Sequence, residues 1–326
     1  MILAFGATAG KLLTRRGEQP QELTGDTPVM NSTAPSSAAA FKKQHDHLVA
    51  VDSDGCAMDT MTFKHVHCFT PEIIRSFGLE PIAEWVEQTE HFVNLYSKWR
   101  GLNRFPALLM VLDLLRQRPE VRASGVAIPA MDSLRTFIDS EHPKSNAGLQ
   151  NVIDTTGPDP ELQRVLQWSE AVNQAVDQKA GHLRPFPSVK STLTRMARQA
   201  DLIVVSQMPH QACRREWQQH GLAQHVALLG GQELGTKAEQ LRAAADGRYE
   251  SGRVLMVGDA PGDLTAAEAN AALFFPTVPS DEDRSWQQLR DEGFDRFLQT
   301  TFAGPYQQSL LEQFQQRLPE TPPWKA

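Results

Sequence analysis

Residues 48–60 read Leu-Val-Ala-Val-Asp-Ser-Asp-Gly-Cys-Ala-Met-Asp-Thr. The apolar run from Leu48 to Val51 ends at Asp52, and Asp54 and Gly55 follow. A short continuous apolar run that stops at a turn signal reads as a strand buried on both faces, the kind found in parallel sheets. Open α/β sheets bind ligands beyond the carboxyl ends of their strands, where Asp52 and Asp54 would stand. Two carboxylates so close repel unless positive charge lies near. A hard divalent cation such as Mg2+ would supply that charge, and a carboxylate there can also attack phosphorus to form an aspartyl-phosphate. Asp-x-Asp-Gly serves equally as a plain polar turn, so the run needs partners elsewhere in the chain before it means chemistry. A calcium loop of the EF-hand kind is excluded. Its fifth and sixth places require an oxygen ligand and a glycine, and here they hold Cys56 and Ala57.

The rest of the composition narrows the class. A chain of 326 residues can bury a large core, in one domain or two. Hydrophobic content of 40% and charged content of 22% are those of a soluble globular protein. A net charge of −7 argues against a nucleic-acid partner. No apolar run approaches the length of a membrane span, so no membrane partner is expected. Cys56, Cys68 and Cys213 form neither a zinc pattern nor a disulfide framework, which suits a reducing cytoplasm. Met1 to Phe5 is apolar, but Lys11, Arg15 and Arg16 follow it where a secretory signal would place cations in front. Residues 17–40 are rich in Ser, Thr, Pro, Ala and Gly, and residues 1–44 are expected to form a disordered tail.

Beyond Thr60, residues 61–68 carry Lys64, His65 and His67. Two histidines alone are too few ligands for a metal, and the stretch reads as a polar flap beside the site. From Pro71 to about His182 the apolar spacing is helical, as in residues 84–96, 107–115 and 131–138 and in Leu162, Val165, Leu166, Trp168, Val172 and Val176. His142-Pro143 and Gly157-Pro158 break the run. This block looks like an inserted helical domain. Within it, residues 98–106 place Lys98, Arg100 and Arg104 around Gly101 and before Pro106. Arg100 and Arg104 suit a bidentate grip on a substrate phosphate or carboxylate; the same cations also suit a helix carboxyl end.

Arg184-Pro185-Phe186-Pro187 is a stiff return linker. A helix is expected over 188–198, with Asp201 in a loop. Short β-branched or apolar runs at 202–205, 226–229, 254–257 and 272–275 then alternate with helical stretches. That rhythm predicts a doubly wound parallel sheet. Residues 281–318 read as helical, and the Pro-rich residues after them as loose. The strand ends bring in Ser206, and Asp259 with Asp263; Lys237 opens a helix. Alone, each is an ordinary turn, cap or surface residue. Together they are a phosphoryl-transfer set, with carboxylates for Mg2+ and Ser and Lys for phosphoryl oxygens.

In this order the motifs resemble those of haloacid-dehalogenase-like (HAD) hydrolases, over residues 46–61 and 185–278. The resemblance implies an α/β fold: a Rossmann-like core of residues 45–60 and 185–326 and an all-helical C1-type cap of residues 61–184. It implies Asp52 as nucleophile, Asp54 as general acid/base with its backbone carbonyl on Mg2+, and Ser206 as a hydrogen-bond donor to the phosphoryl group. It implies Lys237 as the neutralising cation, with Asp259 and Asp263 completing a metal set of Asp52, Asp54, Asp259 and Asp263. The linker at Arg184 is similar to the hinge of phosphoglycolate-phosphatase-like members, although the block before it is larger than is usual there. Cys56 replaces a common Thr or Val, and the helices after Asp281 have no counterpart. Members that cleave C–halogen or C–P bonds lack an acid at the position of Asp54, which can protonate a leaving alcohol and then activate water. The expected function is therefore a Mg2+-dependent phosphatase of a small phosphorylated metabolite, with a cap that opens and closes. The alternatives are a phosphomutase of the β-phosphoglucomutase type, whose opening residues 52–60 also resemble, and a non-catalytic protein that binds a ligand or partner.

Overall fold

In a computed structural model of the chain, which describes residues 41–179, 181 and 183–325, the opening apolar run is the central strand of a sheet. The strands are β1 (Leu48–Val51), β2 (Asp201–Val204), β3 (Leu228–Leu229), β4 (Val254–Gly258) and β5 (Leu273–Pro276). All pair parallel, in the order β3-β2-β1-β4-β5. This is the α/β architecture the sequence predicts. Val51 lies opposite both Val204 and Val257. Asp52 is therefore level with Val205 and Gly258, and Ser206 and Asp259 emerge one residue further along the same sheet edge.

Alternate strand residues serve two cores. Val49, Val51, Val204 and Val257 pack with Trp217 and Trp286 on one face; Leu48, Ala50, Ile203 and Met256 pack with Leu241 and Phe274 on the other. Burial on both sides is why the strands read as continuous apolar runs and not as alternating ones. β3 is shorter than its expected span because a 3-10 turn, Ala223–His225, precedes it and Gly230 and Gly231 follow. β2 begins a residue early, at Asp201, which was expected in a loop. The buried Asp201 carboxylate accepts hydrogen bonds from Gln44 N (2.9 Å), His45 N (3.1 Å) and the Tyr249 hydroxyl (2.7 Å).

That contact bears on the expected tail, of which residues 1–40 lie outside the described residues. Phe41 is buried in the second core, with the Arg248 guanidinium 5.0 Å from its ring centroid. The ordered body thus reaches back at least to Phe41, because an aromatic ring in this Ala-rich stretch finds apolar contact.

Between β1 and β2 lie α1 (Met61–Lys64), α2 (Thr70–Phe77), α3 (Ala83–Leu95), α4 (Arg104–Gln117), α5 (Pro119–Ser124), α6 (Asp132–Asp139), α7 (Asn146–Thr156) and α8 (Pro160–Lys179). They enclose a hydrophobic core of their own, built on Phe105, Val111, Leu112, Phe137, Val165 and Trp168. α4 starts earlier than its apolar spacing suggests because the Asn103 side chain caps it, accepting from Phe105 N at 3.1 Å. The expected polar flap is α1 followed by a π-helical turn, His65–Phe69. In that turn His65 is buried against Glu90 (2.5 Å), whereas His67 packs on Phe63 (ring centroids 4.8 Å apart), so the two histidines do not converge. No described helix is long and apolar enough to cross a membrane.

The sheet is completed by α9 (Val189–Met196), α10 (His210–Gln219), α11 (Lys237–Ala245), α12 (Pro261–Glu268), α13 (Glu282–Gln288), α14 (Phe294–Leu298) and α15 (Pro305–Arg317). The chain leaves the sheet for the helical block and returns from it along adjacent paths. Asp59 N donates to Arg184 O (2.7 Å) and Phe186 N to Ala57 O (3.2 Å). The Pro-rich end is not loose. Beyond α15 it crosses to the helical block, where the Trp324 ring meets Phe92 edge-on at 5.4 Å and the Arg118 guanidinium stands 4.3 Å from its centroid. Lys98 N donates to Pro319 O (3.3 Å) and its ammonium pairs with Glu320 (2.7 Å). Composition weighs the prolines; Trp324 supplies the apolar area that docks the segment.

Candidate active site

The loop after β1 is held by indoles from the neighbouring helices. Trp217 Nε1 donates to Ser53 Oγ (2.9 Å), and Trp286 Nε1 to Cys56 O (2.7 Å). Gly55 has φ +79°, a region that costs other residues steric strain. A Cβ there would also stand 2.5 Å from Asp259 Oδ2 and 2.8 Å from an Arg100 guanidinium nitrogen. The glycine after the two aspartates is thus demanded both by the turn and by what packs against it.

Asp52 is 3% exposed. Lys237 Nζ is 2.9 Å from Asp52 Oδ1 and 2.5 Å from Asp263 Oδ1. The sequence Thr236-Lys237-Ala238-Glu239 explains how the lysine gets there. Thr236 caps α11, accepting from Glu239 N, while the Glu239 carboxylate accepts from Thr236 N at 2.7 Å. This capping box fixes Lys237 in the first turn, aimed at the sheet edge. One turn on, Gln240 holds the Ser206 loop through Ser206 N (3.3 Å) and Ser206 O (3.0 Å). The Ser206 hydroxyl accepts from Met208 N at 3.2 Å. Asp263, in the first turn of α12, accepts from Asp259 N (3.1 Å) and Ala260 N (3.0 Å) with its other oxygen.

Asp52, Asp259 and Asp263 each offer an oxygen within 4.8 Å of the others. All are buried, and Asp259 Oδ1 has no hydrogen-bond partner. Buried carboxylates without donors are costly unless a cation joins them. An orphaned oxygen in an all-oxygen donor set therefore fits a hard metal ion. Burial pushes the Asp52 carboxyl well above its usual range; Lys237 opposes this, while Asp263 and Asp259 add to it. Asp259 is raised by burial too, against the pull of Arg100. Lys237 is half-buried; burial would lower its pKa, but Asp263 and Asp52 raise it, so it stays protonated.

Asp54 points elsewhere. Its Oδ1 accepts from Thr60 Oγ1 (2.6 Å) and from Lys64 Nζ (2.6 Å). Burial would raise its pKa, but Lys64 and the bonds from Lys64 and Thr60 hold it below the usual carboxylate range. Sequence reasoning assigned neither Thr60 nor Lys64 to the site. Their signal was the four-residue spacing, which puts both on one side of a helical turn. Glu216, on α10, was missed as well. It is buried, its Oε2 lacks a partner, and burial pushes its pKa up to about 7 against the pull of Lys64.

Asp52, Asp54, Ser206, Lys237 and Asp259 line one cavity of about 1090 Å³, whose lining also includes Phe69, Phe105 and Trp168 of the helical block. Arg100 and Arg104, alike in sequence, part company here. Arg104 lines the cavity and, among the described residues, bonds only to neutral groups: Ser169 O (3.1 Å), Ser169 Oγ (2.9 Å) and Asn173 Oδ1 (2.8 Å), with the Phe69 ring centroid 5.3 Å away. Burial lowers its pKa to about 10. Arg100 is withdrawn from the cavity lining. Its Nε donates to Asp259 Oδ2 at 2.6 Å, and NH1 donates to Leu95 O at 3.0 Å.

Comparison with known proteins gives likenesses at low sequence identity only. No protein-family model matches the chain, and no curated protein sequence does. Among solved structures, a protein from Lactobacillus plantarum provisionally described as a phosphoglycolate phosphatase is 12% identical. That match covers 75% of this chain and 92% of that one, with a TM-score of 0.46. A protein from Bacteroides fragilis provisionally described as a haloacid dehalogenase-like hydrolase is 14% identical over 74% of this chain and 93% of that one, with a TM-score of 0.45. A hydrolase from Pseudomonas syringae is 13% identical over 73% and 90%, with a TM-score of 0.42.

Proposed function

We propose that the chain is a Mg2+-dependent phosphomonoesterase of the HAD type that works through an aspartyl-phosphate on Asp52. The observation that carries this is the convergence of Asp52, Lys237, Asp259 and Asp263 at one sheet edge, facing the cavity that Asp54 also lines. The metal would be held by Asp52, Asp259, Asp263 and the Asp54 carbonyl. When bound, it would neutralise the carboxylates and polarise a phosphoryl oxygen. In the first half-reaction an Asp52 oxygen bonds to phosphorus. The ester oxygen leaves and takes a proton from the Asp54 carboxyl. In the second, water attacks the aspartyl-phosphate and gives its proton to Asp54. Inorganic phosphate departs and both carboxylates return to their starting state. Ser206 and Lys237 hold phosphoryl oxygens throughout.

The helical block, residues 61–184, acts as the cap over the core of residues 45–60 and 185–326. The substrate is a small phosphorylated metabolite whose non-reacting part meets Arg104. A cation bonded only to neutral groups inside a cavity favours an anion there. The cavity volume matches a ligand larger than a two-carbon ester. Three unpaired, buried cysteines suit a cytoplasmic setting.

A panel of phosphorylated metabolites and p-nitrophenyl phosphate, assayed with Mg2+, tests the proposal. Turnover of at least one ester is expected, and Asp52→Asn should lower it by about three orders of magnitude or more. No turnover of any ester by the wild type sinks the phosphatase reading. Full activity of Asp52→Asn sinks the nucleophile. Transfer of phosphate between sugar hydroxyls in place of release would identify a mutase.

A further inference from the structure

We propose that Arg100 is a positioning residue of the cation site, supplied by the helical block: it grips one oxygen of Asp259 and so aims the other into the carboxylate cluster. This rests on the cation-dependent reading above. The pair is dry, with both side chains 2% exposed. An arginine that merely neutralises a buried aspartate tends to engage both oxygens through its fork. Here the contact is one-sided. Nε takes Asp259 Oδ2 at 2.6 Å, NH1 is turned away to the Leu95 carbonyl at 3.0 Å, and NH2 stands 3.7 Å from Glu282 Oε1. Asp259 Oδ1 is left buried and unpartnered, on a residue that offers an oxygen to the cluster with Asp52 and Asp263.

The surrounding chain is shaped to bring the guanidinium this close. Gly55 and Gly101 leave the room: a Cβ on Gly55 would crowd Arg100 and Asp259, and one on Gly101 would stand 2.7 Å from Ala260 Cβ. The loop that carries Arg100 is pinned where it leaves α3, with Arg100 N bonded to Ser97 O (2.9 Å) and Ser97 Oγ to Val93 O (2.9 Å). The carboxylate's orientation is therefore set by the helical block as well as by β4. Groups that orient a metal ligand in this way govern metal affinity.

The rival account makes Arg100 a stand-in cation that a metal must displace from Asp259. The two accounts predict opposite signs. Mg2+ and Mn2+ binding to the full chain is measured by titration calorimetry for wild type, Arg100→Ala and Arg100→Lys, with thermal unfolding as a check on folding. Removing the grip should weaken cation binding about 10- to 100-fold. Arg100→Lys keeps the charge but not the rigid Nε–H, and should recover only part of that. It also serves as the test if the alanine variant does not fold. Raising Mg2+ to saturation should restore turnover with KM for the ester unchanged. Unchanged or tighter cation binding overturns the proposal, as does a raised KM that saturating Mg2+ leaves in place. A wild type that binds neither ion overturns the function proposed above and this inference with it; equal binding by wild type and both variants overturns this inference alone.

Discussion

Lys64 decides which half of the proposed chemistry the observed arrangement suits. With an ammonium 2.6 Å away, Asp54 is held in its ionised form, the form that accepts a proton from water. Donating a proton to a leaving group requires that grip to loosen. In Lys64→Met the carboxyl loses its main source of downward pull, so its pKa rises. The limb of the kcat–pH profile that reports ionised Asp54 should then move to higher pH; a profile that stays put refutes the coupling. Glu216 offers a second test at this scale. Its folded pKa of about 7 lies above the ordinary 4.5. Between these values the folded chain keeps a proton that the unfolded chain has released. The stability this lends is complete below the lower value and is lost as pH rises through the upper one. Glu216→Gln has no such proton, so its urea-unfolding free energy should vary less than wild type between about pH 4.5 and 7. Lys64 and Arg100 were visible as residues in the sequence but not as partners. The Thr60–Lys64 spacing is a local signal, whereas Arg100 meets an aspartate 159 positions away, which no local pattern encodes.

At the scale of elements, legibility followed how local each cause is. The strands were readable because burial on both faces leaves no polar position to interrupt the run. α11 was expected to open at Lys237, and the capping box of Thr236 and Glu239 is the local cause. The π-helical turn at His65–Phe69 was not: its His65 is stacked on Phe69 at 4.6 Å and bonded to Glu90, 25 positions further along the chain. Nor was the docking of the last residues, because their partners Phe92 and Arg118 belong to the helical block. Trp324→Ala removes the edge-on ring contact and the cation–π contact together. It should cost about 1–2 kcal/mol of stability, measured by denaturant unfolding, and make the Pro319–Lys325 segment the first site of proteolytic cutting. An unchanged midpoint and cutting pattern would show the segment to be energetically idle.

For the whole molecule, the sequence conveyed the two-part plan of sheet and helical insertion, and the structure added the path of the chain that returns from α15. The outgoing and incoming segments of the insertion, at residues 57–59 and 184–186, run side by side and alone would make a door hinge. The docked carboxy-terminal segment fastens the same block away from that hinge, around Phe92, Lys98 and Arg118, as does the buried Arg100–Asp259 pair. A rigid body held on one axis can swing; held also at a point off that axis, it cannot. In the proposed enzyme, substrate would therefore enter either through a gap at the rim or only after both of these fastenings let go. In the second case the release of the contacts around one indole and one buried ion pair, and not the stiffness of the proline linker, would set the rate at which the cavity becomes accessible.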